Sequence, residues 1–100
     1  MINVIARSEI KPGCMEKYMQ VLKANVPTVL AEEGCIRYEP CVDVNAGIGP
    51  EVKGDYVTIL ESWESVDHLR AHLATKHMAA FREAVASLRG ESTINVVTPA

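Results

Sequence analysis

The hydrophobic pattern of this chain switches between a period of two and a period of 3.6, and the order of the switches leaves few folds open. Ile2, Val4 and Ala6 alternate with Asn3, Ile5 and Arg7, the mark of a strand with one clearly apolar face. Lys11-Pro12-Gly13 ends it. Met15, Tyr18, Met19, Leu22, Val26, Val29 and Leu30 then recur at helical spacing and put one apolar stripe on a long helix. Pro27 lies inside that stripe, where it removes the donor to the carbonyl of Lys23 and predicts a kink or a weakened turn. Glu32-Glu33-Gly34 closes the helix, with Gly34 suited to a left-handed cap. The two glutamates oppose the helix dipole and have no evident stabilising role.

A second strand runs from Cys35 to about Val44, with Ile36, Tyr38, Val42 and Val44 on one face. Pro40 lacks a donor, so this strand lies at an edge or is broken there. Asn45 to Gly54 is a loop by composition. Asp55 to Trp63 is a third strand, with Val57, Ile59, Glu61 and Trp63 sharing a face. Ser65 caps a short helix that turns Val66, Leu69 and Leu73 inward. Met78, Phe81, Val85 and Leu88 form a second stripe after Thr75. Arg89-Gly90 ends that segment, and Thr93 to Thr98 gives a last strand. The order β-α-β-β-α-β describes an α+β, ferredoxin-like domain: a four-stranded antiparallel sheet with helices on one face.

One hundred residues make one domain, spanning 1–100. A domain this small buries about 60–65% of its unfolded-chain surface, so a partner subunit would add stability. Ile5, Cys35, Cys41 and Leu60 fall on the sheet face away from the helices, mixed with Arg7, Arg37 and Glu39. That half-apolar face predicts a homodimer through the sheet faces. A net charge of −3 supplies no basic field for phosphate backbones, so nucleic acid is not an expected partner. No apolar run reaches the roughly 20 residues that span a bilayer. With no charged leader at the start and three cysteines in no CxxC pair, the expected location is cytoplasmic and the cysteines are expected to be apolar filler.

Chemistry-bearing residues concentrate between Thr58 and Phe81, which hold the only tryptophan, the only phenylalanine and all three histidines. Glu61 faces the helices, so it is either in a structural salt bridge, with Arg82 or Arg7, or turned toward a ligand. His72 lies about 60° from Leu69 on a helical wheel, at the edge of the buried stripe. It reads either as a boundary histidine satisfied by backbone or as a base whose ordinary pKa suits proton abstraction at neutral pH. His77 falls in the first turn of the next helical segment, where it can accept a proton or bond a carbonyl. Trp63 offers a flat apolar wall for an aromatic ligand, or is simply core. Tyr18, Tyr38 and Tyr56 are possible phenol donors. His68 and His72 have the i,i+4 spacing of metal ligands but lack a HExxH glutamate and a third ligand, so no metal is expected.

Three stretches, Val26-Pro-Thr-Val-Leu-Ala-Glu-Glu-Gly34-Cys35, Glu61-Ser-Trp63-Glu-Ser and His68-Leu-Arg-Ala-His72-Leu-Ala-Thr-Lys-His77-Met, together resemble the antibiotic biosynthesis monooxygenase family, in particular its quinol monooxygenase branch. Tyr38-Glu-Pro-Cys-Val-Asp43 and Ile94-Asn-Val-Val-Thr-Pro99 extend the resemblance over nearly the whole chain. It implies a ferredoxin-like fold assembled as a dimeric α/β-barrel, with a pocket between helices and sheet. It also implies oxygenation of a quinol or polycyclic dihydroxy-aromatic substrate by O2 with no cofactor. Trp63, His72 and His77 are the matching positions: substrate stacks on Trp63 while His72 or His77 removes a phenolic proton. Tyr38, Glu61, Phe81 and Arg82 join Trp63 as expected substrate-binding residues. Haem-degrading relatives carry an axial histidine where this chain has Arg82 beside Phe81, which argues against haem. Two other readings stay open: a non-catalytic, quinone- or aromatic-binding dimeric module, and an isomerase of a small phosphorylated carbonyl compound. The isomerase would need several cations in the pocket.

Overall fold

The computed structural model describes residues 1–100. Its elements are β1 (Ile2–Ile10), α1 (Met15–Leu30), β2 (Cys35–Val42), β3 (Asp55–Trp63), α2 (Val66–Leu73), α3 (Lys76–Val85) and β4 (Arg89–Val97). The strands form one antiparallel sheet in the order β2-β3-β1-β4, the expected ferredoxin-like architecture. Tyr38 of β2, Glu61 of β3, Val4 of β1 and Val96 of β4 are successive partners across it and therefore share a face. On that face α1 packs against β2 and α3, and α2 lies against β3 and α3. Val4, Tyr18, Leu22, Val29, Val57, Trp63 and Val85 are fully buried between the layers. No helix covers β4, whose Ile94 and Val96 stay about half exposed on the helix side. β2 pairs only with β3, so Pro40 sits on an edge strand, where a proline is tolerated. No helix is long and apolar enough to cross a membrane.

Several local expectations are corrected. The register of β2 shifts between Cys35 and Arg37, so Ile36 is an extra residue in the ladder. A bulge reverses side-chain parity, which puts Cys35 on the helix side with Tyr38 and leaves Ile36 exposed. Cys35 and Cys41, expected on one face, lie on opposite faces, and all three cysteines are free. β2 stops at Val42, and Val44 is solvent-exposed. β4 begins at Arg89, earlier than expected, because Arg89 already pairs with Ile10 across a bulge in the β1–β4 ladder. In α2 the buried residues are Leu69 and His72, while Val66 and Leu73 are exposed. The helix points inward between Leu69 and His72, which places the two flanking apolar residues at the rim.

Pro27 does not end α1, which continues to Leu30. Beyond it, Gly34 takes a left-handed φ of 82°, in the turn between α1 and β2. A Cβ at Gly34 would lie 2.3 Å from Cγ of His68, so only glycine allows the ring this close. His68 is held by the Ser65 cap: Ser65 Oγ accepts the His68 N–H at 3.2 Å and lies 2.6 Å from Nδ1. The contact seats α2 against the α1–β2 turn. That turn carries Glu32.

Candidate active site

A cavity of about 350 Å³ opens on the helix side of the sheet, within the range of small-molecule sites (about 300–1,000 Å³). Tyr38, Glu61, His72, Phe81 and Arg82, all named from the sequence, line it among apolar neighbours such as Ile59 and Met78. Trp63 and His77 do not. Trp63 is fully buried, and the His72 ring covers it at a centroid distance of 4.6 Å and an interplanar angle of 36°. The surface expected to receive an aromatic ligand is thus occupied by the expected base. Trp63 instead packs on that imidazole and donates from Nε1 to Glu61 Oε1 at 2.9 Å.

Glu61 is 5% exposed and forms no salt bridge. Arg7 points to the other side of the sheet, and Arg82 Nη2 donates to the Leu73 carbonyl at 3.1 Å. Burial raises the Glu61 pKa to about 7, against a smaller downward pull from the Trp63 hydrogen bond. Tyr38 packs edge-on to His72 at 5.7 Å. Burial and then Glu61 raise its phenol pKa well above the ordinary value, so it remains a hydroxyl.

His72 is 1% exposed. Its Nδ1 lies 2.6 Å from Glu32 Oε2, and with Glu32 as carboxylate the ring N–H is the donor. Nε2 is the nitrogen left for a ligand in the cavity. Burial lowers the His72 pKa, and Glu32 opposes that through both hydrogen bond and charge. The cavity therefore pairs a neutral imidazole with a carboxyl that is half protonated near pH 7. Environments that hold one group neutral and able to accept a proton beside another that can give one let one site both take and return a proton.

His77 stands outside the cavity, in a groove between α1 and α3 lined also by Val21, Asn25 and Ala84. Its Nδ1 is 3.2 Å from Asn25 Oδ1, and its Nε2 is 3.3 Å from the Glu32 oxygen that holds His72. That second approach is a charge contact, not an aligned hydrogen bond, and His77 Nε2 is the one buried side-chain polar atom without a hydrogen-bond partner. No group of three or more His, Cys, Asp or Glu side chains is arranged to hold a metal ion.

Two site residues escaped the sequence reading. Glu32 left a trace there as a glutamate at a helix C-terminus with no stabilising role. Arg89 left none; it lines the cavity only because β4 starts early, and its guanidinium carbon lies 5.9 Å from the centre of the Phe81 ring. A larger cleft of about 510 Å³ lies on the opposite side of the sheet, around Arg7, Asp43, Tyr56 and the loop that joins β2 to β3. Its Arg7 and Asp43 already satisfy one another, at 2.7 Å for each of two bonds.

A model of the antibiotic biosynthesis monooxygenase family matches residues 1–84. The chain belongs to that family. It is 39% identical to "Probable quinol monooxygenase YgiN" of Escherichia coli, over 99% of this chain and 98% of the relative. Among solved structures, a conserved protein from Methanosarcina mazei superposes with a TM-score of 0.83 at 25% identity, over 96% of this chain and 89% of that one. An antibiotic biosynthesis monooxygenase superposes with a TM-score of 0.85 at 21% identity, over 100% and 99%; that likeness speaks to the fold alone. Family membership supports a monooxygenase activity on a small molecule.

Proposed function

We propose that this protein oxygenates a quinol or related polycyclic dihydroxy-aromatic compound with O2, the substrate supplying all the electrons. The observation that carries the reading is His72: a buried imidazole, oriented by Glu32, facing an apolar cavity that also holds Glu61. In the proposed reaction the substrate's phenolic O–H breaks and its proton goes to His72 Nε2. The electron-rich anion passes one electron to O2, and the resulting radical pair recombines to form a carbon–oxygen bond. The peroxide takes the proton back. Its O–O bond then breaks as the ring carbon loses its hydrogen, so one oxygen atom enters the product and the other leaves as water. Glu61 and Tyr38 act as donors to oxygens on which charge develops. Arg82 and Phe81 hold the ring system, and Trp63 keeps His72 and Glu61 in place. The chain acts as a cytoplasmic homodimer through its sheet faces, a reading supported by half-exposed Val97 and Ile5 on the face without helices.

The test is O2 uptake by metal-free, cofactor-free protein given a reduced naphthoquinone, against heat-denatured protein and an autoxidation control. Uptake well above both controls is expected. Uptake at the autoxidation rate overturns quinol as substrate and leaves a quinone-binding module as the better reading, which binding of the oxidised quinone then tests. One observation favours a second chemistry: Arg82 and Arg89 both border the cavity. A phosphorylated carbonyl compound would use them. Competition by a small phosphate ester against quinol oxidation separates the two, since an isomerase site binds the ester tightly and a quinol site does not.

A further inference from the structure

One carboxylate oxygen serves two imidazoles that face different compartments. Glu32 Oε2 lies 2.6 Å from His72 Nδ1, on the cavity side, and 3.3 Å from His77 Nε2, on the side of the α1–α3 groove. The His72 side chain is 1% exposed, Glu32 15% and His77 25%, so the line runs from interior toward solvent. Asn25 fixes the sense of the outer half. Its Nδ2 donates to Met78 Sδ at 3.4 Å, which turns Oδ1 to His77 Nδ1 and makes that nitrogen the donor. Neutral His77 then presents an Nε2 lone pair to the Glu32 carboxylate. Two acceptors face each other, and the nitrogen has no other partner. One proton placed there turns the contact into an ion pair at 3.3 Å.

We infer that Glu32 is the positioning residue that sets the basicity of His72, and that His77, protonated from the outer groove, competes for it. With His77 neutral, the whole Glu32 charge is available to the His72 cation formed when substrate gives up its proton. With His77 protonated, Glu32 is shared and His72 is a weaker base. Glu61, Tyr38 and Arg82 also face His72, and Cys35 lies near Glu32, but none of them bridges the two rings. The direction is consistent with the surroundings of His72, where Glu32 raises the imidazole pKa and His77 lowers it. The role of His72 as base rests on the proposed function; the competition for Glu32 does not.

The test is a pair of variants that should move the same property in opposite directions. In ¹⁵N-histidine NMR of the protein alone, Glu32→Gln keeps an acceptor for His72 but removes the charge, and should shift the His72 titration to lower pH. His77→Gln removes the competitor and should shift it to higher pH; His77→Leu repeats the experiment without an amide that could donate to Glu32. With a reduced naphthoquinone, the acid limb of kcat should move in the same two directions, and Glu32→Gln should lower the plateau by about tenfold or more. A purely structural role predicts shifts of one sign, or none, and either result overturns the inference. If the titrations diverge while wild-type protein consumes no O2, the competition stands and the quinol reading fails.

Discussion

The two faces of the sheet each hold a pair of ionisable groups, and the pairs have opposite characters. On the face without helices, Arg7 donates to both oxygens of Asp43 at 2.7 Å and to Thr58 at 2.8 Å, and its guanidinium lies 4.3 Å from the Tyr56 ring centre. Each partner holds the other in its charged form, raising the Arg7 pKa and lowering that of Asp43. On the helix face, Glu61 is buried with only a Trp63 N–H for company, and burial favours its neutral form. His72 is likewise pushed toward neutrality, against the pull of Glu32. Paired charges in contact with solvent have nothing left to give a substrate. Buried groups held near their titration points do, and the cavity lies beside them.

The largest effect that could break this contrast is on turnover. His72→Ala should reduce O2 uptake with a reduced quinone by about 10²–10⁴, the usual contribution of a positioned base. Binding of the oxidised quinone should largely persist, because the cavity is lined mainly by other residues. Initial rates at saturating substrate, beside a direct binding titration, make the check. Undiminished turnover would remove His72 from the chemistry and put the helix face on the same footing as the other.

Next in size is a pH-dependent change in stability. The folded pKa of Glu61, about 7, lies above the ordinary glutamate value of 4.5, so between those values the native state holds the extra proton. Stability contributed by the protonated form is complete below about pH 4.5 and is lost as pH rises through 7. Glu61→Gln keeps an acceptor for Trp63 Nε1 and removes the titration. It should match wild type at pH 4.5 and be the more stable protein at pH 8, by up to about 3 kcal/mol. Urea unfolding at the two pH values measures this. Equal differences at both would mean that Glu61 is solvated in the native state. His72 has the opposite sign: with its pKa lowered in the fold, its neutral form contributes stability at high pH that is lost as pH falls through the folded pKa.

How much of this was legible in the sequence depends on the range over which each feature is decided. The strand-helix order and the Ser65 cap are local, and periodicity carried them. β3 was bounded correctly because both its ends are marked, by Gly54 before and Ser65 after. The bulge at Ile36 leaves no local mark, and through it Cys35 changed faces. The inward direction of α2 is set by what it packs against, so a wheel placed His72 at the edge where packing places it at the centre. Phe81 and Arg82, named beside the family resemblance, both line the cavity. Glu32 is distant from both histidines in sequence, and a single sequence offers only its odd placement at a helix end. Trp63 shows the reverse failure: its position was read correctly and its use was not, because nothing local says which ring will cover it.

The smallest effect tests the other half of the contrast. Arg7 and Asp43 have side chains 38% and 24% exposed, and ion pairs with that much solvent contact contribute about 0–1 kcal/mol. The bidentate geometry and the Tyr56 ring favour the upper part of that range. Asp43→Ala should therefore lower stability by about 1 kcal/mol or less, with the difference shrinking as salt is raised. It should leave kcat for quinol oxidation within about twofold of wild type, since Asp43 touches neither the cavity nor a residue lining it. Denaturant unfolding at low and high salt, with O2 uptake measured on the same preparation, gives both numbers. A large, salt-independent loss of stability would mean that this pair is buried in the assembled protein. The sheet face carrying it would then be an interface, as expected of a homodimer. A loss of turnover without loss of stability would do more damage, because it would bring the open face of the sheet into the reaction and erase the division between the two sides.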